Sequence, residues 1–325
     1  MPQTRVKFAA RPLLRTAFIL SVLVYSTARA RLPVLGDTFA HDPSRLIKQG
    51  NTCYLFYTSQ GIVEKTSTDL RNWKDVSRVF PGNPPAWTTN AVPGFTGDFW
   101  APDIVCLNGT YYLYYAVSTF GSQGSAIGLV TTTNLAAGPW TDQGPVIQST
   151  NGTAYNCIDP CPLVDTNGTM WLTFGSYWNG IYLMQLNPAT GKPISPGSPL
   201  THVAYNSSIE GSFLYQQGGY YYLFVNWNTC CEGINSTYNI RVGRSPSVTG
   251  PYLDRNGVNL VNAGGSMFLE SAARFIGPGQ AGIMNDNGTC WLTYHYYDGN
   301  NQGTPTLGLG QLTWSADGWP AFTNQ

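Results

Sequence analysis

The chain has 325 residues, of which 14% are aromatic and only 10% are Asp, Glu, Lys or Arg, against roughly 25% charged residues in an average domain. With 36 Gly and 22 Pro, this composition excludes coiled coils, charged disordered tracts and long helices, and points to an all-β chain of short strands and tight turns. Seventeen cations balance seventeen anions, so neither a strongly basic nor a strongly acidic partner is implied by the total.

The first thirty residues differ from the rest. Arg5, Lys7, Arg11 and Arg15 precede the apolar run 17–24, and Ala28-Arg29-Ala30 has the small-x-small spacing of a cleavage site, which predicts a secretory signal peptide over residues 1–30. The run is well short of the ~20 apolar residues that a membrane span needs, and no later stretch could span a bilayer. Cleavage would remove five cations and no anions, leaving 12 against 17 and a net charge near −5. No Lys/Arg cluster then remains to displace counterions from a phosphate backbone, which excludes nucleic acid as a partner. Seven Cys (53, 106, 157, 161, 230, 231 and 290) lie beyond the signal. An odd number leaves at least one free, and none has zinc-site spacing. Six N-x-S/T sequons, at Asn108, Asn151, Asn167, Asn206, Asn235 and Asn287, suit a secreted glycoprotein.

Residues 31–325 read as one domain built from a fivefold pattern: a polar strand start, a short apolar strand, a Gly/Asn turn and an aromatic strand. The instances begin at Asp42 (turn Gly50-Asn51), Asp103 (Asn108-Gly109), Asp159 (Asn167-Gly168), Glu210 (Gly218-Gly219) and Gln280 (Asn287-Gly288). Asn-Gly and Gly-Gly supply the positive φ of primed hairpin turns. Further strand-like runs follow each hairpin, such as 126–130, 181–186, 239–242 and 306–312, and then an outer segment carrying Trp73, Trp140, Tyr252 or Trp319. About four strands per repeat at irregular spacing predicts a five-bladed β-propeller with four-stranded blades; a pair of β-sandwich domains is the alternative. Residues 319–322 read as the outer strand of blade 5, so that the ring closes without strand exchange.

Equivalent positions on innermost strands of a propeller converge on the channel, which places Asp42, Asp103, Asp159 and Glu210 around one funnel, with Gln280 at the fifth position. Like charges brought together raise one another's pKa, and such clusters mark functional sites. Carboxyls on three blades are what glycoside hydrolysis needs, one to activate water, one to protonate the leaving oxygen and one to tune that donor.

Together with His41-Asp42-Pro43-Ser44, Phe99-Trp100-Ala101-Pro102-Asp103, Gly175-Ser176-Tyr177-Trp178, Gly277-Pro278-Gly279-Gln280 and Tyr294-His295-Tyr296-Tyr297-Asp298, these carboxyls make the chain resemble glycoside hydrolase family 43, nearest its secreted fungal endo-1,5-α-L-arabinanases. The resemblance covers residues 32–322. It implies inverting hydrolysis of arabinan with Asp42 as general base, Glu210 as general acid and Asp159 as modulator of the acid. Gln280 stands where many bacterial relatives carry His. Relatives also hold a central metal, which implies an ion such as Ca²⁺ held directly or through waters by His295, with no organic cofactor.

Aromatic faces suit sugar C–H groups, so Trp100, Phe120 and Trp178, with Asp103, Ser176 and Asn179 as polar contacts, are the candidate substrate-binding residues. The expectation is a secreted monomer acting on a neutral polysaccharide, with no membrane partner. An arabinofuranosidase or β-xylosidase of the same family is the alternative within enzymes, and a secreted propeller lectin is the alternative outside them. Lectins present equivalent sites in several blades, whereas Asp, Asp, Asp, Glu and Gln differ by blade, which favours one active site.

Overall fold

The computed structural model describes residues 1–4 and 31–322. The predicted signal segment, apart from its first four residues, lies outside the described residues. Five sheets, antiparallel but for one short parallel pair, stand in a ring as the blades of a propeller, each with four or five strands. Their second strands are almost wholly apolar: in Thr52–Tyr57, Thr110–Val117 and Tyr220–Trp227 nearly every side chain is buried. Such runs fit strands covered on both faces, because each blade packs between two neighbours. Among the described residues the one α-helix is Ala86–Ala91.

Blade 1 comprises Ile47–Gln49, Thr52–Tyr57, Val63–Ser67 and Asn72–Arg78, and blade 2 comprises Asp98–Leu107, Thr110–Val117, Ser125–Thr132 and Thr141–Ser149. Blade 3 has Cys161–Val164, Met170–Phe174 and Ile181–Asn187, with two short outer strands on the last. In blade 4 the outer strand is Ser266–Leu269 rather than the segment around Tyr252. That tyrosine is buried instead, its hydroxyl donating to the Val248 carbonyl at 2.6 Å. Blade 5 consists of Phe275–Asp286, Thr289–Asp298, Thr304–Trp314 and Pro320–Ala321, so the predicted outer strand is its own.

The N-terminal arm nevertheless bridges the seam. Leu35–Gly36 pairs in parallel with Asn72–Trp73 of blade 1. On its other side Leu32 N–H donates to Leu309 O at 3.0 Å, and the Leu307 N–H of blade 5 donates to Thr38 O at 2.8 Å. Leu32 and Val34 pack on the cluster of Ala40, Leu46, Trp73, Leu307 and Leu309, which makes the seam both hydrogen-bonded and apolar.

One backbone feature recurs around the ring and sets the site. Asp42, Ala101, Asp159, Gly211 and Gln280 all have left-handed φ, between 42° and 57°. Ala101, Gly211 and Gln280 sit inside bulges of the inner strands, and each such kink re-aims the side chains next to it. The blade equivalence is therefore Asp42, Ala101, Asp159, Gly211 and Gln280. Asp103 falls two residues beyond its position and Glu210 one before.

Candidate active site

Asp42 hangs at its kink inside a polar cage. Its Oδ2 accepts from Thr58 Oγ1 at 2.8 Å and lies 2.8 Å from His41 Nδ1, while its N–H donates to His295 Nδ1 at 3.1 Å. Thr58 Oγ1 accepts in turn from the Ala101 N–H at 2.8 Å, so its own proton is committed to Asp42. Burial opposes the charge on Asp42, but His41 and the Thr58 hydroxyl outweigh it and pull the pKa down to about 2. The carboxyl is ionised at any working pH.

Glu210 is held differently. Tyr238 donates to Oε1 and Ser176 to Oε2, both at 2.7 Å. Burial pushes its pKa up, and the two hydroxyls only partly offset that. Asp159 accepts the Gly211 N–H at 2.9 Å and is also pushed up, by burial first and then by Glu210 and Asp42. Of three neighbouring carboxyls, Asp42 is thus driven toward its charged form while Glu210 and Asp159 are driven toward their protonated forms, and such divergence separates a base from an acid. Gly211 must be glycine, because a Cβ there would meet Asn226 Nδ2 at 2.3 Å on a backbone with φ of +56°.

Asp42, Asp159 and Glu210 line one open cavity of about 890 Å³. Trp100, Phe120, Ser176 and Trp178 line it too. Phe120 is 87% exposed and Trp178 is 44% exposed, so large apolar faces stand free at the mouth. Trp100 is fixed by its Nε1, which donates to Asp98 Oδ2 at 3.1 Å.

Two expected contacts are not brought to the cavity. Asp103 is 3% exposed and clamped by Arg45, whose N–H and Nε donate to Oδ1 at 3.0 and 3.1 Å and whose Nη2 donates to Oδ2 at 2.5 Å. The two-residue offset in blade 2 turns Asp103 into a structural anion between inner strands. Asn179 is exposed, with Nδ2 donating to Tyr182 Oη at 2.7 Å and away from the cavity lining. Conversely Thr58, Tyr238, Asn156 and the Cys230–Cys231 pair, which no motif marked, all line the cavity. They become visible only when separate blades are brought together.

Two results are expected from this geometry. Asp103→Asn strands the buried Arg45 charge and should cost about 3–5 kcal/mol, read as a lower melting temperature, while the enzyme that remains folded keeps its kcat. Tyr238→Phe removes a hydrogen bond that favours ionised Glu210. The acid then holds its proton to higher pH, and the alkaline limb of kcat/KM moves upward.

The chain matches the family model described as "Glycosyl hydrolases family 43" over residues 30–320. It is 42% identical over 287 residues to the extracellular endo-α-(1→5)-L-arabinanase 1 of Bacillus subtilis, covering 87% of each chain. To the extracellular exo-α-(1→5)-L-arabinofuranosidase of Cellvibrio japonicus it is 37% identical, covering 86% of this chain and 85% of that one. The solved α-L-arabinanase of Cellvibrio cellulosa, complexed with arabinohexaose, superposes with a TM-score of 0.83 at 36% identity, covering 88% of this chain and 95% of that one.

Proposed function

Because the chain belongs to glycosyl hydrolase family 43, we propose that it is an arabinanase that hydrolyses internal α-1,5-L-arabinofuranosyl bonds with inversion of configuration. The observation that carries the assignment is the split among the carboxyls in one cavity, with Asp42 held ionised and Glu210 pushed by burial toward its protonated form.

Asp42 takes a proton from a water that attacks the anomeric carbon. Glu210 gives its proton to the departing glycosidic oxygen as that bond breaks, so one water is consumed and the new hydroxyl lies on the opposite face. Asp159 works through its bond to Gly211 N–H, which fixes the backbone beside Glu210, and through its effect on the acid's proton. Trp100, Phe120 and Trp178 offer flat faces to sugar rings. A groove open at the mouth accepts a polymer on both sides of the scissile bond, and several bound rings orient the reacting one.

His295 is the natural holder of a cation. It is fully buried, its pKa is pulled down to about 3 by burial and by His41, and its Nε2 has no partner in the protein. In this structure Nδ1 accepts the Asp42 N–H, so a cation on Nε2 would require the other tautomer of the neutral ring, whose Nδ1 proton would face Asp42 Oδ1, 3.4 Å away. One nitrogen on a hard cation implies that waters fill most of the shell. Such an ion would supply positive charge to the neighbourhood of Asp42, against which His295 packs. Prolonged chelation followed by dialysis should lower both kcat and the melting temperature, with Ca²⁺ restoring them; unchanged values and a metal-free analysis would refute the ion.

Among the described residues no helix is long and apolar enough to cross a membrane. The charged-then-apolar character of residues 1–30 and the extracellular relatives support secretion, and the complete site within one chain supports action as a monomer.

Linear arabinan tests the function. Its viscosity should fall well before reducing ends accumulate, with short oligosaccharides as early products and inverted anomers by ¹H NMR. Arabinose alone from the outset would establish chain-end attack, and activity confined to xylosides would refute the substrate.

A further inference from the structure

The loop that leaves blade 4 after Trp227 carries Cys230 and Cys231, bridged to each other, and both line the cavity. The other described cysteines are free: Cys53, Cys157, Cys161 and Cys290 are buried and Cys106 is exposed. A bridge between neighbours encloses no chain segment, so it contributes almost none of the loop-closure stabilisation that disulfides normally provide. Its position suggests what it does instead.

Cys231 has a left-handed φ of 69°, and its N–H donates to Tyr297 Oη at 2.7 Å. That hydroxyl lies 2.9 Å from His41 Nε2, and His41 Nδ1 lies 2.8 Å from Asp42 Oδ2. Tyr297 Oη thus meets both the Cys231 N–H and His41 Nε2, while the other ring nitrogen of His41 faces Asp42. The Cys231 Sγ also sits 3.7 Å from His41 Nε2. Blade 4, blade 5 and blade 1 thus each give one link to a chain that ends on the carboxylate.

We propose that the Cys230–Cys231 disulfide is a redox-sensitive positioning element for Asp42, acting through Tyr297 and His41. The inference rests on the assignment of Asp42 as the base. A dithiol delivers two electrons and two protons to the bridge; the S–S bond breaks into two thiols, and the dithiol closes into its own disulfide. Released from the ring, Cys231 leaves the left-handed region that a non-glycine residue disfavours, its N–H leaves Tyr297, and the Tyr297 hydroxyl that holds the His41 ring against Asp42 loses its own anchor.

The test uses the full chain acting on arabinohexaose. It is treated with dithiothreitol, with or without iodoacetamide, and labelled sites are read by peptide mapping. Labelling at Cys230 and Cys231 should accompany a fall in kcat of about tenfold, with KM and melting temperature little changed, and reoxidation before alkylation should restore the rate. Cys230→Ala/Cys231→Ala and Tyr297→Phe should each lose about as much, and their combination no more than either, because they break one chain. Cys106→Ser should retain full activity and full sensitivity to the reductant. Unchanged kcat in the reduced, labelled enzyme, or additive losses, would overturn the proposal while leaving the arabinanase reading intact. Inactivity of the untreated protein on arabinan would overturn both.

Discussion

Glu210→Gln should lower kcat/KM on linear arabinan by about a hundred- to ten-thousand-fold, the usual worth of a positioned proton donor, and most of that loss should vanish on a substrate with a nitrophenolate leaving group. The amide keeps the size of the side chain and can still meet Ser176 and Tyr238, which now hold Oε2 and Oε1 at 2.7 Å. What it lacks is the acidic proton whose retention burial favours on Glu210. A sugar hydroxyl leaves poorly as an alkoxide and needs that proton, whereas a nitrophenolate leaves without it. Equal losses on the two substrates would remove Glu210 from the role of acid.

Asp42→Asn should lose rate by a comparable or larger factor, about a thousandfold or more, and equally for both leaving groups. Every turnover of an inverting enzyme requires a deprotonated water, whichever group departs. The amide can still accept from Thr58 at Oδ1, so the cage survives, but it has no charge with which to take a proton. A group held at a pKa of about 2 also sets no acidic limb in the working range of the wild type. Loss of binding alone, seen as a raised KM with unchanged kcat, would place Asp42 in substrate contact rather than chemistry.

The two variants together separate the roles, because only the acid's defect depends on the leaving group. Their contrast rests on environments that the order of residues in the chain does not display. His41 and Thr58 hold Asp42, while Tyr238, 28 residues beyond Glu210, holds the acid.

The propeller was legible because hairpin chemistry is local. Gly50-Asn51, Asn108-Gly109, Gly218-Gly219 and Asn287-Gly288 each carry their own positive-φ requirement, and each lies between paired strands. Blade 3 differs only in length: Asp165 accepts from the N–H groups of Asn167 and Thr169, both at 2.9 Å, and stabilises a longer turn. The funnel was harder to align, because the repeated element is a backbone kink occupied by Asp, Ala, Asp, Gly and Gln. Matching carboxylates to one another placed Asp103 in the channel. Matching the prolines at 43, 102 and 160 would have aligned Ala101 with Asp42 and Asp159, and so moved Asp103 into the core. Thr58, Tyr238 and Cys231 left no comparable trace, since Thr58 and Tyr238 reach Asp42 and Glu210 from the end of a different strand of the same blade and Cys231 reaches Tyr297 in the next one.

The arm that pairs with both blade 1 and blade 5 also imposes an order in time. Synthesis releases Leu32 and Val34 among the first residues of the ring and their partners Leu307 and Leu309 among the last. Through most of translation the growing arc has two unsatisfied apolar edges, and the contacts that join them span nearly the whole chain, the slowest kind to form. Blades can acquire their hairpins one after another, but the toroid exists only once residue 309 meets residue 32. A chain interrupted before Pro305 is therefore not a shorter propeller but an unclosed one, with an arm that has nothing to pair with on its blade-5 side.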